Sequence, residues 1–345
     1  MHEEGPKHPL DFRKDLAGKL FTRINAGESC TVVGASSMGK TRLINFLMQT
    51  DARSYYLKEK AEKLFFLHVN CNKAINENDW GLYEIILSTI VNTSLTDPNI
   101  SQRSSDFHHL RGTVVTQRDA FLGLRNLETS LNILIKREGL QVALLLDDFD
   151  KLYPKLTVDC LDQLRAIRDD HKNRFSYILF MRHSPAELRD KKDNEGFYEL
   201  TSLYMYGLTP YTFSDAERMI KHLSERKQLS LSNDTLDKIW RYTGGHPGSI
   251  TVLVRALEDH PEAFAQDDPT NMRKLIEMDF VTEECERLWE GLSGVEQEGF
   301  KLLAEKRPVD KTVIGYLTLK GLVREEGNEF LPSAIPLLYV YVKSL

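Results

Sequence analysis

Short apolar runs alternate with longer amphipathic segments from the start of the chain to about residue 208. Runs of a few consecutive apolar residues predict strands buried on both faces, and apolar residues repeated every three or four positions predict helices. This alternation predicts an α/β fold with a doubly wound parallel sheet. The five predicted strands are Cys30–Val33, Leu64–Asn70, Val142–Leu146, Tyr177–Met181 and Ser202–Leu208.

One segment of this region differs in composition from the others. Asn92–Thr116 is rich in Ser, Thr, Asn and Asp and poor in apolar residues. We therefore predict a long exposed loop there. Helices are predicted directly after Thr41 and over His8–Asn25, Asp79–Val91, Ala120–Lys136 and Val158–Asp170.

From Thr209 onwards the strand pattern gives way to helices. The turn Thr243–Gly248 interrupts them, and its glycines and proline predict a rigid corner. The helices of this part are predicted over Ser214–Glu225 and Ser232–Tyr242, from Ser249 onwards, and over Pro269–Arg287.

The C-terminal segment has the element order of a winged helix. Helices are predicted over Val295–Glu305 and Thr312–Lys320, followed by a hairpin over Gly321–Leu331. From Gly294 to the end, basic and acidic residues balance seven against seven, and the second helix carries little positive charge beyond Lys311 and Lys320. Because a DNA-binding face must neutralise phosphates, we favour a packing or signalling role for this segment.

Composition bounds the class of protein. The chain has 345 residues, 41% of them hydrophobic, a net charge of −6 and a pI near 6.0, which indicates a globular protein with more than one domain and no global affinity for nucleic acid. The four cysteines form no C-x-x-C pair, so neither zinc nor disulfides are expected. Met1–Pro6 lacks the features of a signal peptide and no apolar run has membrane-spanning length. We therefore expect a cytoplasmic protein with no membrane partner.

The segment Gly34–Thr41, GASSMGKT, fits the pattern G-x-x-x-x-G-K-[ST] between a strand and a helix. Gly34 and Gly39 would allow a tight turn and leave room for phosphate oxygens. The loop N–H groups and the N-terminus of the following helix would bind the β-phosphate. Lys40 would bridge the β- and γ-phosphates, and the Thr41 hydroxyl would join the shell of Mg²⁺. The segment therefore predicts a site for a nucleoside triphosphate.

A second cluster of candidate residues follows the third and fourth strands. The third strand ends in Asp147, Asp148 and Asp150, and the fourth runs directly into Arg182. Because ligands bind at the carboxyl ends of parallel strands, Asp147 is expected to hold Mg²⁺ and Asp148 to orient or deprotonate the attacking water. Arg182 could reach a γ-phosphate or form a surface salt bridge. Asp148 and Arg182 are thus the candidate catalytic residues.

Taken together, these motifs resemble those of the STAND P-loop ATPases, in particular the short AAA-like members from bacteria and archaea. The resemblance is carried by Gly34–Thr41, the acidic run after the third strand, Arg182, the turn Gly245-His246-Pro247 and the winged-helix pattern. It covers nearly the whole chain. The expected domains are a P-loop nucleotide-binding domain over residues 1–208, a helical lid over 209–292 and a winged helix over 293–345.

The resemblance implies a role for each matching residue. Gly39–Thr41 would bind phosphates and Mg²⁺, and Asp147 would bind the metal. Asp148 stands where many relatives have glutamate, and its shorter side chain implies slow hydrolysis. Arg182 would sense the γ-phosphate, and Pro247 would pack against the nucleotide in the ADP-bound state. The expected nucleotide-binding residues are Gly34, Ser37, Met38, Gly39, Lys40, Thr41, Arg42 and Pro247.

The leading hypothesis is a molecular switch or slow Mg²⁺-dependent ATPase. ATP or ADP would control domain opening and, through it, assembly into homo-oligomers or binding of a protein partner. The alternative is an AAA-like DNA-associated ATPase, of the origin-recognition or transposition-regulator type, that uses its winged helix on DNA. A nucleotide-binding scaffold without turnover is a third hypothesis. A small-molecule kinase is disfavoured because no second substrate pocket can be named.

Overall fold

The structure, a computed structural model, describes residues 7–193, 195–264, 271–327 and 329–345. The expectation about a leader peptide concerns Met1–Pro6 and so lies outside the described residues, as do Pro269 and Thr270 of the predicted helix and Asn328 of the predicted hairpin. The chain divides into two compact units, the first comprising Met1–Val32 and Thr41–Tyr206, the second Val33–Lys40 and Gly207–Leu345. The division into three domains stays a prediction.

A five-stranded sheet confirms the predicted parallel α/β architecture. Its strands are β1 Cys30–Val33, β2 Leu64–Asn70, β3 Gln141–Asp147, β4 Phe175–Met181 and β5 Met205–Gly207, in the order β2-β3-β4-β1-β5. β2 and β4 both run parallel to β3, and Asn70 is in register with Asp147. The last residues of β2 and β3 therefore lie side by side.

Helices of the first unit pack against one face of the sheet and form a continuous buried core with it. Leu67, Leu144 and Leu179 of the strands belong to the same buried cluster as Ile86 and Leu164 of the helices. The helices are α1 Lys14–Ala26, α2 Lys40–Met48, α3 Thr50–Leu57, α4 Asp79–Ser94, α5 Ser104–Gln117, α6 Ala120–Asn132, α7 Val158–Asp170, α8 Pro185–Leu188 and α9 Glu195–Ser202.

The prediction of a long loop over Asn92–Thr116 is wrong, because α5 occupies its second half. This helix buries only Phe107 and Val114, so its apolar periodicity is too weak to detect in the sequence. Polar contacts attach it instead. Arg111 pairs with the buried carboxylate of Glu84 at 2.7 Å, and Asn126 donates to the Leu110 carbonyl at 2.8 Å. A half-buried ion pair and an inter-helix hydrogen bond thus replace part of the usual apolar face.

From Thr209 onwards the described part of the second unit is helical apart from a short hairpin, as predicted. Its elements are α10 Phe213–Arg226, α11 Asn233–Thr243, α12 Pro247–Asp259, α13 Asn271–Ile276, α14 Asp279–Glu290, α15 Gly294–Ala304, α16 Lys311–Leu319, β6 Arg324–Glu326, β7 Glu329–Leu331 and α17 Pro336–Val342. β6 and β7 pair antiparallel. The helix predicted over Pro269–Arg287 is two helices in the described part, α13 and α14. Within the described residues no helix is both apolar and long enough to span a bilayer.

Two helices and a hairpin follow one another in the C-terminal segment, in the order that the winged-helix prediction requires. The charges differ from the expectation, however. Lys320, counted as positive charge on the second helix, is completely buried in an ion pair with Glu296 of α15. It therefore ties the end of α16 to α15 and contributes no positive charge to the surface.

Candidate functional site

The loop that follows β1 has a constrained backbone. Ser37 and Gly39 have φ values of 55° and 89°, in the left-handed region. For a non-glycine residue such as Ser37 this conformation costs about 1 kcal/mol. Gly34 is needed for space, since a Cβ there would lie 2.8 Å from Cβ of Leu208. The loop is thus held in a shape that the chain would not adopt without the surrounding structure.

Lys40 lies along this loop. It is nearly buried, and its Nζ donates to the carbonyls of Gly34 at 2.9 Å and Ala35 at 3.3 Å. α2 begins at Lys40, so the N–H groups of its first turn have no acceptor within the helix and present positive partial charge. An ammonium group and a helix N-terminus beside one loop are suited to bind an anion such as a phosphate.

The other predicted loop residues occupy different environments. Met38 is completely buried, and its N–H lies 3.4 Å from the Ala35 carbonyl. Thr41 is exposed at the start of α2, and Arg42 beside it is half-buried. Thr41 is therefore accessible to a ligand.

His246, in the glycine- and proline-containing turn, contacts the loop. It is completely buried. The Ser249 N–H donates to its Nδ1 at 3.1 Å, which leaves the ring proton on Nε2, and Nε2 donates to the Ser36 carbonyl at 3.1 Å. Pro247 is buried as the first residue of α12. Sequence reasoning selected Pro247 from this turn and missed His246. The available signal was the turn itself, which the neighbouring glycines and proline had already identified.

Asp147 ends β3 with a buried carboxylate. Its Oδ2 lies 3.6 Å from Nε2 of His68, and its Oδ1 is buried without a hydrogen-bond partner. A buried carboxylate oxygen that lacks a donor is rare in a folded protein and is the kind of ligand that Mg²⁺ or its bound water takes. Asp147 therefore fits the metal role assigned to it from the sequence.

Asp148, the candidate base, is held by a residue that sequence reasoning did not identify. Its backbone has φ 52° and ψ 41°. Nδ2 of Asn72, two residues beyond β2, donates to its Oδ2 at 2.6 Å. This bond fixes the direction of the carboxylate. The only signal for Asn72 was its place just after a predicted strand, which is too common to single it out.

Arg182 is anchored by the last acid of the same run. Its Nε donates to Oδ2 of Asp150 at 3.1 Å, and its backbone N–H donates to Oδ1 at 3.2 Å. The Asp150 side chain is 5% exposed and that of Arg182 is 43% exposed. The guanidinium group is thus fixed at one edge and open to solvent at the other. Both alternatives considered for Arg182, an ion pair and a phosphate contact, are compatible with this arrangement.

Cys71 lies among these acids but is not a candidate nucleophile. Burial raises the pKa of its thiol, and the charges of Asp147, Asp148 and Asp150 raise it further. The thiol stays protonated at neutral pH, and a protonated thiol is unreactive.

Glu284 of α14 lies beside the loop and was not identified from the sequence. It is 4% exposed. Burial has the largest effect on its carboxyl group and raises the pKa. The Ser37 hydroxyl and Arg287 have smaller effects that lower the pKa. The second unit therefore places a poorly solvated acid next to the candidate phosphate-binding loop.

Comparison with solved structures shows a fold that this chain shares with proteins of known structure. The chain is similar to a Walker-type ATPase of Pyrococcus abyssi, PABY2304, with a TM-score of 0.60 and 14% identity over 96% of this chain and 95% of that one. It is also similar to the ORC2 protein of Aeropyrum pernix in its ADP form, with a TM-score of 0.56 and 16% identity over 98% and 94% of the two chains. No family model and no curated protein matches the sequence. At these identities the similarity concerns the fold.

Proposed function

We propose that the protein binds ATP and ADP with Mg²⁺ and acts as a molecular switch with slow ATPase activity. The observation that carries this proposal is the loop of Ser37 and Gly39 in left-handed conformation, with Lys40 held on its carbonyls at 2.9 and 3.3 Å. An ordinary strand-to-helix turn would connect β1 to α2 without a strained loop and without a lysine held on its carbonyls. We therefore assign this arrangement to ligand binding. The similarity to solved Walker-type ATPases agrees with it.

The proposed phosphate contacts come from the loop and the start of α2. They are Gly34, Ser37, Met38, Gly39, Lys40, Thr41 and Arg42. Lys40 would neutralise the β- and γ-phosphates. Thr41 and Asp147 would hold Mg²⁺, which would neutralise negative charge on the phosphates. Pro247 would pack near the nucleotide in the ADP state.

Hydrolysis would depend on Asp148 and Arg182. Asp148 would orient the attacking water and accept its proton, with Asn72 holding the carboxylate in place at 2.6 Å. Arg182, fixed by Asp150, would stabilise charge that develops on the γ-phosphate. An aspartate reaches less far than a glutamate, so we expect slow turnover suited to a switch.

Asn72→Ala is expected to lower the rate of a single turnover about tenfold while leaving ATP affinity unchanged, because the base loses its orientation but no phosphate contact is lost. Rapid-quench measurement of one turnover, with affinity from calorimetry, checks this. Asn92→Ala, at an exposed position of α4, is the control and should match the wild type. An unchanged rate in Asn72→Ala would remove Asn72 from the mechanism.

The switch role, including membership of the STAND group and nucleotide-dependent self-assembly or partner binding, is part of this proposal. His246 contacts the Ser36 carbonyl at 3.1 Å, so a change in the loop on binding phosphate would reach α12. Calorimetric titration of Mg²⁺-ATP and Mg²⁺-ADP tests the first requirement of the proposal, which is that the protein binds nucleotide. Both nucleotides should bind, and the absence of binding would overturn it.

A DNA-associated ATPase is the second candidate, favoured by the similarity to the ORC2 protein of Aeropyrum pernix. The buried Lys320 argues against it, since the helix that would face DNA loses one of its two expected cations. Titration with duplex DNA at low salt, with ATP present, discriminates between the two candidates. Binding that weakens steeply with added salt would favour the DNA-associated ATPase.

A further inference from the structure

The carboxylate of Glu284 is packed into a narrow space between α12 and the loop. A Cβ added to Gly248, in the first turn of α12, would collide with Oε1 of Glu284 and would lie 2.6 Å from Cβ of Ser37. The absence of a side chain at Gly248 therefore makes room for the acid against Ser37.

The charge of this carboxylate is poorly compensated. Nη1 of Arg287 donates to Oε2 at 3.0 Å, but the Arg287 side chain is 62% exposed, so water weakens the attraction. Oε1 is buried and accepts no hydrogen bond of ordinary geometry, and the Ser37 hydroxyl, which lowers the pKa of the carboxyl group, offsets the effect of burial only in part. A buried, partly unsatisfied acid destabilises a protein. The start of α14 does not require an acid at this position, because α14 begins five residues earlier, at Asp279.

The two serines of the loop contact both of these helices. The Ser36 carbonyl accepts from His246, the cap of α12, at 3.1 Å. A Cβ added to Gly291, just beyond the end of α14, would collide with Oγ of Ser36. Ser37 faces Glu284. A movement of Ser36 and Ser37 would therefore act on α12 and α14 together.

From these contacts we propose that Glu284 is an electrostatic gate on the loop, whose negative charge opposes the entry of polyphosphate and couples nucleotide binding to α12 and α14. The proposal rests on the nucleotide site proposed above and concerns its regulation. A carboxylate and a phosphate at one poorly solvated loop repel each other. A polyphosphate that binds the loop must act against this charge, and the repulsion weakens the contact of α14 with Ser37. By linkage, an event that moves α14 away from the loop strengthens nucleotide binding to the same extent.

Glu284→Gln tests the gate, because it removes the charge and keeps the shape. Calorimetry at neutral pH should show that Mg²⁺-ATP binds this variant about tenfold more tightly than the wild type, with a smaller gain for Mg²⁺-ADP, which carries one phosphate fewer. Glu286→Gln, an exposed acid two residues along α14, is the control and should leave both affinities unchanged. Glu284→Met, neutral and of similar length, provides the measurement if the glutamine variant does not fold.

The outcomes separate the gate from the nucleotide site. Tighter binding in Glu284→Gln, abolished when Lys40→Ala is added, supports the gate. Equal affinities in Glu284→Gln and Glu286→Gln, with wild-type binding that depends on Lys40, overturn the gate and leave the site standing. Weaker binding in Glu284→Gln also overturns it, since the acid would then support the loop. If no variant and no wild-type protein binds nucleotide, the gate and the proposed function both fail.

Discussion

Lys40→Ala is expected to weaken ATP binding about a hundredfold or more. The substitution removes the one ammonium group held on the loop carbonyls, and hydrogen bonds between charged groups contribute about 1.5–3 kcal/mol each. The fold should remain intact, since the described hydrogen bonds of the Lys40 ammonium group go to the carbonyls of Gly34 and Ala35. Calorimetric titration of Mg²⁺-ATP, beside a thermal melt, measures both effects.

Lys221→Ala serves as the matched control, because Lys221 is an exposed lysine of the same unit and its described ion pair is with Glu217 on its own helix. It should bind ATP as the wild type does. Retained affinity in Lys40→Ala would show that Gly34–Thr41 is not the phosphate site.

Asp148→Asn is expected to slow a single turnover about a hundredfold or more while ATP affinity changes little. Asparagine keeps the size of the side chain and an oxygen for the Asn72 amide, but it cannot accept the proton of the attacking water. Rapid-quench hydrolysis of a single bound ATP measures the step directly, without the influence of product release.

Asp159→Asn, an exposed acid in the first turn of α7, controls for the loss of one negative charge. If Asp148→Asn hydrolyses ATP at the wild-type rate, the base lies elsewhere. If the wild-type protein itself shows no turnover although it binds ATP, the chain is a nucleotide-binding scaffold.

The sheet could be predicted from the sequence because each buried parallel strand is a run of consecutive apolar residues. The apolar run of β3 followed at once by Asp147 marks both the strand and the sheet edge at which it ends. The prediction failed for α5, where Arg111 and Asn126 supply the attachment through contacts 27 and 16 residues distant in sequence. Apolar periodicity cannot detect a helix that is held by polar partners.

The candidate site shows the same limit. Gly34–Thr41 is a contiguous motif, so the sequence suffices to locate it. Asn72 and Glu284 reach the candidate sites only when the chain folds. Asn72 contacts Asp148, which is 76 residues away in sequence. Glu284 lies against the first turn of α12 and Ser37. Lys320 illustrates the converse, since a cation that the sequence assigns to a helix surface is buried against Glu296. Local patterns identify ligand-binding loops, whereas positioning residues and burial depend on tertiary packing.

Sedimentation velocity with saturating Mg²⁺-ADP or a non-hydrolysable Mg²⁺-ATP analogue tests the switch most directly, because the sedimentation coefficient reports both shape and association. The account predicts different coefficients for the wild-type protein with the two nucleotides, and one unchanged coefficient for Lys40→Ala. Identical coefficients for a wild-type protein that calorimetry shows to be saturated with each nucleotide would contradict the claim that the γ-phosphate controls its shape or assembly.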